Sequence, residues 1–179
     1  MFDPHAPVDI VTLRDERARD VDAIGRVIAA AFAGEPRQGQ RERQIVDALR
    51  AAGALGVSLV AERDDRVIGH IAFSLVAIGG ASPDSRWYAL APLAVRPDCR
   101  RQSVGAGLVR TGLDALRRLG AHGCVVLGDP AYYARFGFAP CSDLALHGAP
   151  AGRLLALALD AHAPRPSGDV RYHDAFDLG

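Results

Sequence analysis

Apolar and polar residues alternate over residues 9–13 (DIVTL), the period-two pattern of a half-buried strand. The period then lengthens. Val21, Ile24, Ile28 and Phe32 recur at helical spacing and predict a helix over residues 18–32. Gly34, Pro36 and Gly39 break it, and a more charged helix is expected over residues 40–52. Residues 57–62 and 67–78 read as strands joined by the polar turn Arg63-Asp64-Asp65-Arg66, a hairpin. A loop of Gly, Pro and Ser over residues 79–85 leads to a strand over residues 87–95 and a helix over residues 104–119. In that helix Leu108, Val109, Leu113, Leu116 and Leu119 share a face, with Arg110, Arg117 and Arg118 off it. Residues 124–127 form a short apolar strand. Asp129-Pro130 then supplies an N-cap and a first-turn proline for a short helix ending near Gly137. Residues 138–140 begin an extended stretch, and strands are expected over residues 154–159 and 170–172. The order β-α-α-β-β-β-α-β-α-β-β predicts a mixed α/β fold.

Composition narrows the field. The 179 residues suit one domain, 1–179, large enough to bury a core without disulfides or metals. The 21 basic and 21 acidic residues cancel, which argues against a broadly basic surface for nucleic acid or membrane. Every basic residue is Arg, and there is no Lys. Cys99, Cys124 and Cys141 are odd in number and form no C-x-x-C, so neither a disulfide framework nor a zinc knuckle is indicated. The six His show no metal-ligand spacing, so no metal is expected. The N-terminus lacks a signal pattern and no apolar run could span a bilayer, so a cytoplasmic location is expected by default.

The chemistry concentrates in residues 90–108, LAPLAVRPDCRRQSVGAGL. A strand ends at Val95, a charged loop with Pro97 follows, and a helix opens through Ser103, Gly105 and Gly107. Glycines admit a ligand close to the backbone. The first turn of a helix offers unpaired N–H groups and a positive dipole end, together a phosphate cradle. Arg100 and Arg101 add charge suited to a diphosphate. A plain strand-to-helix connection, with Ser103 as N-cap and the arginines in water, reads equally well from spacing alone.

This stretch, L-A-V-R-P-D-x-R-R-Q-S-V-G-A-G-L, resembles the acetyl-CoA-binding motif of the GNAT acyltransferases, Q/R-x-x-G-x-G/A at a helix start. Counted from Val95 and Pro97, the matching positions are Arg100, Ser103 and Gly105, with Ser103 where the family has its first glycine. A register shifted by two, Gln102, Gly105 and Gly107, matches every letter but changes the loop length. Tyr132-Tyr133-Ala134-Arg135-Phe136-Gly137-Phe138 is similar to the family's Y-x-x-x-G-F element, Tyr133 taking the tyrosine position. Gly69-His70-Ile71-x-Phe73-Ser74 and Gly168-x-Val170-x-Tyr172-x-x-Ala175-Phe176 resemble a poorly characterised bacterial branch. The resemblance spans residues 8–178.

The resemblance implies the GNAT fold, a mixed sheet flanked by helices whose two central strands splay apart. It implies acetyl-CoA as cosubstrate, held by Leu93, Ala94, Val95, Arg100, Arg101, Gln102, Ser103, Val104, Gly105, Ala106 and Gly107. Pro92 fits, because a residue without N–H belongs at a bulge rather than in a regular central ladder. It also implies direct attack of an amine on the thioester, with a Val95 N–H as oxyanion donor and Tyr133 as general acid. Tyr132 ranks behind Tyr133, and core packing is the competing role for the ring. His70, alternating with Ile68, Ala72 and Ser74, either looks into the acceptor site as base or is hydrogen-bonded in the core. Glu62, Glu35 and Glu42 are weaker bases, and the cysteines read as inert. The partner is an amine of a small molecule or protein, and a homodimer is compatible. The alternative function is a non-catalytic acyl-CoA sensor. A P-loop NTPase is excluded by the absence of Lys, and a Rossmann dehydrogenase by the absence of G-x-G-x-x-G after the first strand.

Overall fold

The computed structural model describes residues 10–82 and 84–177. Asp9 of the first expected strand and Pro83 of the expected loop fall outside them. The strands are β1 (Thr12–Asp15), β2 (Leu55–Arg63), β3 (Arg66–Ile78), β4 (Trp87–Val95), β5 (Gly123–Leu127), β6 (Ala139–Pro140), β7 (Leu144–Ala145), β8 (Leu154–Ala158) and β9 (Gly168–Arg171). The helices are α1 (Val21–Ala31), α2 (Pro36–Ala51), α3 (Val104–Arg118) and α4 (Pro130–Tyr133).

The sheet runs β1-β2-β3-β4-β5-β8-β6, with β9 on the far end of β3 and β7 on β9. β1 to β4 form an antiparallel meander. β4 and β5 are parallel and joined through α3. β5, β8 and β6 are again antiparallel.

Strand alternation decides which helix each residue meets. Ile71 and Phe73 of β3 point to the α3 face, where Leu108, Val109, Leu113 and Leu116 bury the apolar stripe of α3. The opposite face, with Val60 and Ala94, meets Ile24, Val27 and Ile28 of α1 and Val46 of α2. Leu108 and Leu116 are fully buried, each adding about 1.5–3 kcal/mol by removal from water. Gly112 lies so close to Phe73 that no side chain fits between them.

Some boundaries differ from expectation. The first strand starts at Thr12, and residues 18–20 form a 3₁₀ turn before α1. α2 begins at Pro36 rather than residue 40, because a proline is well placed in a first helical turn, and Gly39 lies inside the helix against Phe32. β7 and a final 3₁₀ turn (Asp174–Asp177) were not expected.

Candidate active site

β4 and β5 hold together over only three pairs, Trp87 with Gly123, Tyr88 with Cys124 and Ala89 with Val125. Beyond Ala89 they part. On the other edge of β4 the ladder with β3 slips between Phe73–Leu90 and Ile71–Leu93, so Ala91 and Pro92 together face the single residue Ala72. Pro92 therefore sits at a bulge where the sheet opens, as its missing N–H requires. Past the bulge, the Arg96 N–H donates to the Ile68 carbonyl. By strand alternation Ala94 also faces β3, while the N–H and C=O groups of Leu93 and Val95 face the gap.

The loop after β4 lies beside that gap. Arg101 and Ser103 both take left-handed backbone angles, φ 60° and 63°. Such turns aim successive N–H groups into one concavity. Ser103 thus keeps the path for which the motif uses glycine. The first bond of α3 is Gly107 N–H to Ser103 C=O, which leaves the Val104, Gly105 and Ala106 amides as open first-turn donors. A Cβ on Gly105 would stand 3.1 Å from the Tyr132 hydroxyl and 3.5 Å from a Val95 methyl, on the cavity side. A Cβ on Gly107 would instead meet Leu13, 3.1 Å away. Gly105 therefore faces the cavity and Gly107 does not, the orientation expected of the register Arg100, Ser103, Gly105.

These residues line a cavity of about 570 Å³, together with Leu93, Val95, Val104, Ala106, Tyr132 and Arg135. Arg100 anchors one wall by donating to the Ala31 carbonyl at the end of α1, 2.6 Å. The Arg135 guanidinium lies 4.6 Å over the Tyr132 ring. Gln102 turns away, accepting from Arg63 and donating to the Asp98 carbonyl. Neither Gln102, Gly107 nor the Ala94 side chain lines this cavity.

A second cavity, about 1330 Å³, lies on the other side of the bulge, before Pro92. Its walls are Leu90 and Ala91 of β4, Leu127 of β5, the end of β3, the Gln38–Glu42 stripe of α2, and β9 with the turn after it. β4 is thus a wall of both cavities and passes from one to the other at Pro92.

The two tyrosines divide. Tyr132 lines the smaller cavity. Tyr133 packs edge-on against Tyr132 and Phe138, its ring pressed on Gly128 just beyond β5. Burial pushes the Tyr133 phenol well above its usual range, so it stays protonated. Its hydroxyl has no hydrogen-bond partner among the described residues, nor is it a sealed, unpaired atom.

His70 belongs elsewhere. It is fully buried on the α1–α2 face, with Nε2 2.9 Å from the Ser58 hydroxyl and 3.6 Å from Glu16. It lines neither cavity, so the core reading holds and the acceptor-site reading does not. Burial lowers its pKa, and it is a neutral imidazole. Burial pushes the Glu16 pKa up, but the neighbouring His70 and hydrogen bonds from Arg50 and Ser58 outweigh that and hold it below the usual carboxylate range. Glu62 pairs with Arg14, and Glu35 stands at the start of α2. Burial pushes both the Cys99 and Cys124 thiols up, away from thiolate character.

A model of the acetyltransferase (GNAT) family matches residues 24–138. The chain belongs to the GNAT family. It is 39% identical to the uncharacterized N-acetyltransferase YhbS of Escherichia coli (strain K12) over 136 residues, 75% of each chain. YjhQ of the same strain, also an uncharacterized N-acetyltransferase, is 38% identical over 123 residues, 69% of this chain and 66% of its own. Among solved structures, a Brucella melitensis GNAT family acetyltransferase in complex with acetyl-CoA superposes with a TM-score of 0.80 at 45% identity, covering 95% of this chain and 100% of that one. The E. coli YhbS structure in complex with CoA gives a TM-score of 0.88 at 34% identity, covering 97% and 96%. The opened sheet is therefore a GNAT sheet, and the chain is an N-acetyltransferase of that family. Sequence reasoning ranked Glu42 only among the weaker bases and gave Tyr172 no chemical role, since only the path of the chain brings α2 and the segment after β9 to one cavity.

Proposed function

We propose that this chain transfers an acetyl group from acetyl-CoA to an amine by direct attack, as one acyltransferase domain. The observation that carries the reading is the opening of β4 from β5, with a cradle of free amides on one side and a large cavity on the other.

The amides from Arg101 to Ala106 and the Arg101 guanidinium hold the coenzyme's diphosphate, at a helix start that favours anions. Leu93 and Val95 offer main-chain groups to the pantetheine amides, which complete the sheet where β5 has left it. Gly105 leaves room for the close approach. Acetyl-CoA supplies the activated acyl group, and the Val95 N–H steadies the oxyanion formed as the amine nitrogen adds to the carbonyl carbon. Tyr133, kept protonated by burial, gives its proton to the departing thiolate. Neither buried cysteine is poised for a covalent route, because burial holds both thiols neutral. A binding module that only sensed acyl-CoA would need no second cavity beyond the coenzyme cradle.

The reading carries a cytoplasmic location with it, where acetyl-CoA is available. Among the described residues no helix is long and apolar enough to cross a membrane. The test is calorimetry with CoA followed by thiol release from acetyl-CoA across amine classes. Tight CoA binding with amine-dependent thiol release is expected. Absence of CoA binding would remove the reading.

A further inference from the structure

The larger cavity carries chemistry that the coenzyme does not use. On α2, Gln38, Glu42 and Ile45 form one stripe facing it, spaced four and three residues apart. The Gln38 side-chain amide donates to Glu42 Oε1 and fixes the carboxylate. Burial raises the Glu42 pKa, opposed by the Gln38 hydrogen bond and by Arg41. A half-buried carboxylate with a raised pKa is a better proton acceptor than a solvated one. The other carboxylates on this cavity, Asp174 and Asp177, are exposed.

Across from α2 stands Tyr172. Its ring packs edge-on against Phe176, centroids 4.8 Å apart, and its hydroxyl is buried with no partner among the described residues. An orphaned buried hydroxyl is costly unless a ligand completes it. The cavity also holds two half-exposed apolar side chains, Leu75 at 52% and Leu127 at 45% exposure. Leu127 ends β5 at the gap itself.

Resting on the acetyl-transfer reading above, we propose that the acceptor is a primary amine on an apolar body, with Glu42 taking the ammonium proton, the Tyr172 hydroxyl accepting a hydrogen bond from the nitrogen, and Leu75 and Leu127 covering the body. The balance is as follows. The ammonium loses one proton to Glu42, and the freed lone pair forms the C–N bond to the thioester carbonyl. The C–S bond then breaks, the nitrogen gives its second proton to water, and the thiolate takes a proton from Tyr133. Glu42 and Tyr133 re-equilibrate with solvent, so the net change is one amide, one thiol and one released proton. The other charged or titratable side chains around the cavity are Arg41, His147, Arg171, His173, Asp174 and Asp177.

The experiment measures thiol release from acetyl-CoA with butylamine, hexylamine and ethanolamine over pH 5–9, alongside calorimetry with CoA. Each added buried methylene should raise kcat/KM about three- to fourfold, so hexylamine should lead butylamine by about tenfold and ethanolamine should trail both. Leu127→Ser should flatten this ladder. Glu42→Gln should lower kcat about 10²-fold and abolish the acid limb of the pH profile, with CoA affinity unchanged. Tyr172→Phe should raise KM for hexylamine about three- to tenfold with kcat little changed. No turnover of the alkylamines, a preference for ethanolamine, or an unaltered acid limb in Glu42→Gln would each overturn the proposal. Loss of CoA binding in the wild-type chain would instead overturn the underlying acetyl-transfer reading, so the two failures separate.

Discussion

Gly105→Glu puts a carboxylate into the cradle at the point the coenzyme must approach. The built Cβ lies 3.1 Å from the Tyr132 hydroxyl and 3.5 Å from Val95 Cγ2, tight but relieved by a few tenths of an ångström of movement in a half-buried tyrosine. The fold should therefore survive, and an acid in the first turn of α3 suits the helix dipole. The coenzyme would fare differently. One negative charge about 5 Å from each diphosphate charge, at an effective dielectric near 20, costs about 3 kcal/mol per pair. Even one such pair removes about two decades of affinity. Calorimetry with CoA should show at least about a 10²-fold weaker Kd, with thermal melting shifted by no more than a few degrees. Gly107→Ala is the control, because its Cβ meets Leu13 at 3.1 Å behind the helix and should alter stability without touching CoA affinity. Unchanged binding in Gly105→Glu, or lost binding in Gly107→Ala alone, would refute the cradle and its register.

Tyr133→Phe should cut kcat about 10²-fold or more while CoA affinity stays within twofold, and full turnover would leave the ring as packing. Gly112→Ala should lower Tm by about 3–10 °C, because a methyl there drives into Phe73 and overpacking costs about 1–3 kcal/mol; an unshifted melt would mean the α3–β3 contact is looser than drawn. Stability should fall as pH drops below about 6.5, since unfolded His70 takes a proton that the buried imidazole refuses, and again below about 4.5, where unfolded Glu16 protonates while the native carboxylate resists. Each group contributes up to about 1.4 kcal/mol per pH unit, and His70→Gln should flatten the first step in a urea-melt series. A first step that persists in that variant would show another group titrating.

The chain's order of elements was legible because its long segments obey one period each. Residues 67–78 and 104–119 carry their pattern over several turns or pleats, and the structure places β3 and α3 within a residue of them. Pro92 was legible for a chemical reason, the missing N–H, and it marks the bulge. β7, of two residues, and the final 3₁₀ turn, of four, are too short for any period to register. The start of α2 was missed because Pro36 reads as a breaker in sequence but is well suited to a first turn in space.

In the site, what was local was legible and what was tertiary was not. Arg100, Ser103 and Gly105 sit on one short connection, where spacing allowed a cradle or a plain connection and the motif resemblance chose the cradle. The choice between Gly105 and Gly107 needed the neighbour of each, Tyr132 for one and Leu13 for the other. The face of β3 that His70 shares could be counted, but which helices cover that face could not, so its burial beside Ser58 and Glu16 emerged only with the fold. Glu42 and Tyr172 lie 130 residues apart in sequence, and the docking of α2 against the C-terminal segment brings them to one cavity.

The most direct measurement is a crystal structure of the chain with CoA. The account predicts the diphosphate on the amides of residues 101–106 and the pantetheine lying along Leu93 and Val95 in the gap between β4 and β5, its thiol end toward Tyr133. Coenzyme bound elsewhere on the surface, or a gap closed by continuous β4–β5 pairing through Val95, would contradict it.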